Sequence, residues 1–205
     1  MIPKFLKLPK AGTIATFFLG LLFFVLLLTL VIRGGYYPVA LAHGDWIKAR
    51  DFWRDYNASL TYYRETGTLG RLTNDFDPEF RSEIARASLE RLVENALIKR
   101  GLGELVGRKE SARLVAEKLN SENTNSPILA EATSKLYKIT AEEFIKMVGL
   151  PKARQDVLID SLQNSQESFE SWEKDVKSRA TIIVFDSRFD WDGDSVVVIS
   201  KKVDN

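Results

Sequence analysis

The apolar residues form one unbroken run, followed by short periodic groups. Ile14–Ile32, IATFFLGLLFFVLLLTLVI, carries no charge over close to the roughly 20 residues that a membrane-spanning helix needs. Phe17, Phe18, Leu21, Leu22, Phe23, Phe24 and Leu26–Leu28 cover all faces of a helix, so this is not an ordinary core helix with one wet face. Beyond it the pattern changes to strands and amphipathic helices. Val39–Ala42 reads as a short strand ending in a His43-Gly44-Asp45 turn. Ala49, Phe52, Trp53, Tyr56, Leu60 and Tyr63 recur at three- and four-residue steps and predict a helix over residues 48–65. Thr66–Asp75 has loop composition. Asp77 and Pro78 supply an N-cap and a first helical position for a helix over 78–100, stopped at Gly101 and Gly103.

Further helices are predicted over 109–119 and 128–137, separated by the loop Asn120–Pro127. Thr140 and Glu143 have capping-box spacing, opening a helix that stops at Gly149. Pro151 then starts another, to Leu162. A last helix over 165–179 has Phe169, Trp172 and Val176 on one stripe. The β-branched runs Ala180–Phe185 and Ser195–Ser200 surround an Asp-Gly loop and predict a hairpin.

Charge orients the apolar run. Lys4, Lys7 and Lys10 precede it and only Arg33 follows closely, so the positive-inside rule puts the N-terminus in the cytoplasm and the rest outside. Tyr36 and Tyr37 sit where interfacial aromatics are expected. The alternative is a cleaved signal peptide, with Ala40-Leu41-Ala42 as its small-x-small site. The run exceeds a usual signal core, Ala42 lies about ten residues past its end, and cutting there would remove the first strand.

Past the span, 26 of the 29 bases face all 28 acids, a formal charge near −2, which gives no reason to expect nucleic acid. The absence of cysteine excludes disulfides and Cys-based chemistry. The single histidine, His43, excludes a His pair within one chain and reads as a turn residue. Gly101, Gly103 and Gly107 lack dinucleotide-binding spacing. Asp186, Asp190, Asp192 and Asp194 invite a calcium reading, but Ile199 stands where an EF-hand needs its last carboxylate, leaving an acidic hairpin loop. The sequon Asn57-Ala58-Ser59 falls mid-helix. No metal, cofactor or catalytic residue is expected. The aromatics Trp46, Phe52, Trp53, Tyr56, Tyr62 and Tyr63 are dense for one short stretch. They are the candidate peptide-binding residues, weighed against a plain core stripe.

The order of elements resembles the N-terminal chaperone domain of SurA/PrsA/PpiD-type foldases. The matching segments are VALAHGDWIKARDFWRDY, with Val39–Ala42, His43-Gly44, Ile47 and Asp51-Phe52 at the family positions; Ala85–Leu105; Thr140–Leu162; and Ser171–Val184. His43 replaces the usual Asn. The parvulin isomerase domain of these proteins is absent, since only about ten residues separate Leu162 from Trp172 where that fold needs about ninety, so no isomerase residue has a counterpart. The resemblance implies a mainly α domain closed by a small sheet from its N- and C-terminal strands.

The expected organisation is a basic tail (1–13), a transmembrane helix (14–32), a linker (33–38), a helical domain with a C-terminal hairpin (39–200) and a tail (201–205). The expected function is that of a single-pass, membrane-anchored extracytoplasmic holdase, without prolyl isomerase catalysis. Its expected partners are unfolded or nascent translocated polypeptides, with the translocation machinery as a further candidate and membrane lipid met through Ile14–Ile32. The alternative is a structural or assembly subunit docking one fixed membrane-protein partner. A proline isomerase without recognisable motifs is the third reading.

Overall fold

The computed structural model describes residues 11–67, 77–121, 126–164 and 166–199. Lys4, Lys7 and Lys10, most of the two expected loops after residues 66 and 120, and the tail from Ser200 lie outside the described residues. The chain divides into two units, Met1–Tyr37 and Pro38–Asn205.

The first unit contains helix α1, Ala11–Arg33, whose side chains are described from Phe18 onward. Its end is a Schellman motif: Tyr36 N–H donates to the Val31 carbonyl and Gly35 N–H to that of Ile32, with Gly35 in the left-handed region at φ 65°. Among the described residues no helix is long and apolar enough to cross a membrane.

The second unit is mainly helical with a small sheet. Strands β1 (Pro38–Ala42) and β2 (Asp45–Lys48) form a hairpin through His43 and Gly44, at φ 50° and 93°. Two successive positive φ angles are what the twist of a two-residue hairpin demands. His43 therefore holds a left-handed position that Asn tolerates better. His43→Asn is expected to raise stability by about 0.5 kcal/mol, read as a small rise in thermal midpoint. β2 was not expected: with charges at both ends, Asp45-Trp46-Ile47-Lys48 reads as the approach to a helix.

Helix α2 covers Ala49–Thr66 and α3 covers Pro78–Val106. Asp77 caps α3 by accepting from Glu79 N–H at 3.1 Å. The expected stop at Gly101 is corrected, because α3 continues unbroken to Val106. A Cβ on Gly101 would lie 2.2 Å from the Trp172 indole. This glycine is a notch in the helix that admits a ring.

α4 covers Arg108–Ser121 and α5 covers Pro127–Leu136. The capping box forms as expected, with Thr140 Oγ1 accepting from Glu143 N–H and Glu143 accepting from Thr140 N–H at 2.9 Å. α6 (Ala141–Phe144) does not stop at Gly149. It runs through a π turn, Ile145–Gly149, into α7 (Leu150–Asn164). The wider turn lies just ahead of Pro151, which has no N–H for the regular ladder and would otherwise break it. α8, Phe169–Arg179, begins after the Ser168 cap.

The C-terminal hairpin is also corrected. β3 (Ile182–Val184) pairs with β1, giving the order β2-β1-β3, with Ala40 opposite Val184 and Leu41 opposite Ile183. It does not pair with the last strand. The chain turns where Phe189 N–H donates to the Asp186 carbonyl, and β4 (Phe189–Trp191) pairs with β5 (Val196–Val198) as a separate two-stranded ribbon.

Two apolar clusters hold this unit. The first joins Ala40, Ala42 and Ile47 of the sheet to Phe52 of α2, Leu89, Val93 and Leu97 of α3, and Phe189 and Val196 of the ribbon. The second joins Leu102 of α3 and Val115 of α4 to Ala153, Val157, Leu158 and Leu162 of α7, with Trp172 packed against it. Each fully buried Phe or Leu contributes about 1.5–3 kcal/mol. α3 supplies residues to both clusters.

Candidate functional site

The six expected aromatics do not form one groove. Phe52 is 1% exposed in the first cluster. As a peptide contact it is corrected: it faces the sheet because it lies three residues after buried Ala49. Trp53 is half-open, but Arg188 sits over its ring at 5.5 Å. Tyr56 packs against the core edge, stacked on Phe52 and edge-on to Trp53. Tyr62 stacks on Tyr137 at 5.0 Å, and Tyr63 meets Phe80 edge-on. These rings serve mainly as joints between α2 and its neighbours.

Trp46 is the exception. It is 60% exposed, on the side of the sheet away from the core. Pairing places Trp46, Leu41 and Ile183 in one row across β2, β1 and β3, and Phe185 stacks on Trp46 at 6.0 Å. Ile183 is 46% and Phe185 49% exposed. The inner positions Ala40, Ala42 and Ile47 are buried. Both faces of this sheet are therefore apolar, although the outer one faces solvent. Leu41, Ile183 and Phe185 were missed as candidates. The available signal was the lack of polar alternation in ATIIVF, which means a strand with two apolar faces.

A second concavity, of about 630 Å³, lies between the β1–β2 turn and helices α3, α4 and α7. That size is usual for ligand sites. α4 lines it with Arg108, Ser111, Ala112, Val115, Ala116 and Leu119, a stripe at three- and four-residue steps. Its charges are unevenly matched. Lys99 pairs with Asp45 at 3.0 Å and Arg100 with Glu104 at 2.8 Å. Arg100 also donates to the His43 carbonyl at 2.8 Å, which makes His43 a turn residue held to α3. Arg154 donates to the Asn95 side-chain oxygen at 3.1 Å. Partial burial holds its guanidinium below the usual arginine value.

The strongest buried charge is elsewhere. Asp55, 1% exposed, accepts from Arg91 at 2.8 Å and from Arg54 at 3.1 Å. Burial raises its pKa above the ordinary carboxylate value, outweighing both arginines. With Asp51, Asn95, Lys146 and Met147 it lines a cavity of about 230 Å³.

The acidic C-terminal loop uses its carboxylates locally. Asp186 pairs with Arg188 at 2.6 Å, which lowers its pKa. Asp192 accepts from the backbone of Asp194 and Ser195. Asp190 accepts from Trp191 N–H. Among the described residues no group of three or more His, Cys, Asp or Glu could hold a metal ion. Comparison with family models, with curated proteins and with solved structures returns no match.

Proposed function

We propose that this chain is a membrane-anchored extracytoplasmic holdase that binds unfolded or translocating polypeptides without prolyl isomerase catalysis. One observation carries the reading: the outer face of the β2-β1-β3 sheet presents Trp46, Leu41, Ile183 and Phe185 to solvent as one apolar patch. A continuous apolar patch on a small domain marks a surface that binds something. Large rings gain contact area with little loss of side-chain freedom, which suits clients of varied sequence. The pairing of β3 with β1 after a Trp-bearing helix is the arrangement that the resemblance to SurA/PrsA/PpiD-type foldases implies. The anchor would be the uncharged run Ile14–Ile32, which as a helix rises about 28 Å, close to the thickness of a bilayer core. Lys4, Lys7 and Lys10 would hold its N-terminus in the cytoplasm.

The test uses the full chain in lipid nanodiscs, mixed with thermally unfolding client enzymes and followed by light scattering. A stoichiometric amount is expected to suppress aggregation of several unrelated clients, while empty nanodiscs do not. Trp46→Ser combined with Ile183→Ser and Phe185→Ser is expected to remove most of that protection. Stability should change little, by about 0.5 kcal/mol per site, because these side chains are exposed. Absence of suppression, or suppression untouched by the triple variant, would sink the proposal. One dominant crosslinked membrane partner, with indifference to unfolded clients, would instead favour a fixed docking subunit.

A further inference from the structure

The groove between the β1–β2 turn, α3, α4 and α7 shares no residue with the outer sheet face, so what it binds can be decided independently of the holdase reading. Two of its features point to a ligand class. The first is an uncompensated charge. The groove carries four strong bases, Lys99, Arg100, Arg108 and Arg154, and two acids, Asp45 and Glu104. Lys99 and Arg100 take the two acids. Arg154 is bonded to a neutral amide oxygen, and neither it nor Arg108 has a carboxylate within ion-pair distance among the described residues. Two fixed positive charges therefore border the same concavity, one of them partly removed from water. Such a place favours an anion more strongly than open solvent does.

The second feature is shape. The α4 stripe from Arg108 through Ala112, Val115 and Ala116 to Leu119 extends about 16 Å along the helix. Small and branched apolar side chains form its middle, and Leu150 of α7 lies opposite. A compact ion would fill one end and leave this apolar strip wet. An extended peptide advances about 3.3 Å per residue, so roughly five residues match the strip. We propose that the groove is a peptide site for short apolar segments that carry a carboxylate, read by Arg108 and Arg154.

The test measures fluorescence anisotropy of a fluorescein-labelled hexapeptide with one glutamate among leucines and alanines, titrated with the full chain in nanodiscs. The glutamate peptide is expected to bind. The same peptide with glutamine or lysine should bind at least about tenfold more weakly, the scale of one charge-assisted hydrogen bond. Arg108→Gln, at an exposed position with no partner to lose among the described residues, and Arg154→Gln, which keeps a donor for Asn95, should each reduce that preference. Together they should abolish it. Higher salt should weaken the glutamate peptide selectively. The C-terminus of each peptide is amidated, so that the glutamate side chain is the only peptide carboxylate that differs between them. Equal affinity for the glutamate and glutamine peptides, a preference that survives the double variant, or no binding up to about 1 mM, the weak limit of specific recognition, overturns it. Loss of holdase action with this preference intact would leave the groove assignment standing.

Discussion

Gly101→Ala is expected to destabilise the domain by about 2–3 kcal/mol, the range for overpacking a filled site. By intrinsic propensity alone the change should help, since alanine favours a helix interior over glycine by about 1 kcal/mol. The sign reverses because the new methyl would lie 2.2 Å from the Trp172 ring, and that ring is wedged against the second cluster. Gly103→Ala provides the contrast. Its Cβ would meet only the Arg108 side chain, at 3.6 Å, so a neutral result or a gain of about 0.5–1 kcal/mol is expected. Urea midpoints followed by tryptophan fluorescence decide between them. In a Trp172→Leu background the Gly101→Ala cost should largely vanish, as a double-mutant cycle would show. Equal behaviour of the two glycines would remove the notch.

Arg91→Met should cost about 3–5 kcal/mol near neutral pH, since it leaves Asp55 buried with one cation fewer. The pH dependence gives the sharper test. Burial raises the Asp55 pKa above its unfolded value. Between those two values the native state holds more protons than the unfolded chain, so the contribution of Asp55 to stability falls as pH rises. The Arg91 charge opposes that rise, together with the charge and hydrogen bond of Arg54. Loss of Arg91 pushes the folded value higher and extends the window upward. The deficit of the variant should therefore be largest at neutral pH and above, and shrink as acid protonates Asp55. Denaturation midpoints between about pH 4 and pH 8 test this, and a deficit constant across the range would contradict it. Replacing Asp55 with Leu in the same variant should recover most of the loss, because an apolar pair needs no compensation.

These two positions also show what the sequence could reveal. Helix α2 was legible from Ala49, Phe52, Trp53, Tyr56, Leu60 and Tyr63, yet its buried line is Ala49, Phe52, Asp55 and Ala58, with a carboxylate at its centre. A hydropathy stripe passes over a carboxylate because its partner, Arg91, is 36 positions away. Gly101 carries the usual sign of a helix end, and only the indole arriving from α8 gives it another purpose. Caps were readable at Asp77 and Thr140 because their partners are two or three residues distant. The residues of the last strands pointed to the wrong partner, a hairpin between them, although closure of the sheet by N- and C-terminal strands was expected. Within ATIIVF, Ile182, Ile183 and Val184 offer no polar face to set a register, so the choice of β1 over β5 as partner for β3 depends on the Asp186 turn. The candidate surface followed the same rule. Trp46 was conspicuous by itself, while Leu41, Ile183 and Phe185 join it only once three strands lie side by side.

The pairing of β1 with β3 also fixes when the domain can be finished. Ala40 lies opposite Val184, so the sheet closes a loop of about 140 residues, the most costly closure in chain entropy that this topology contains. The second cluster, drawn from residues 102–162 with Trp172, needs nothing upstream of α3 and can assemble on shorter-range contacts. During synthesis β1 emerges early but must wait for almost the whole chain before it gains its partner. The first strand made is thus among the last to be secured, and a chain cut short before residue 182 would keep its helices while leaving the edge of β1 open to another strand.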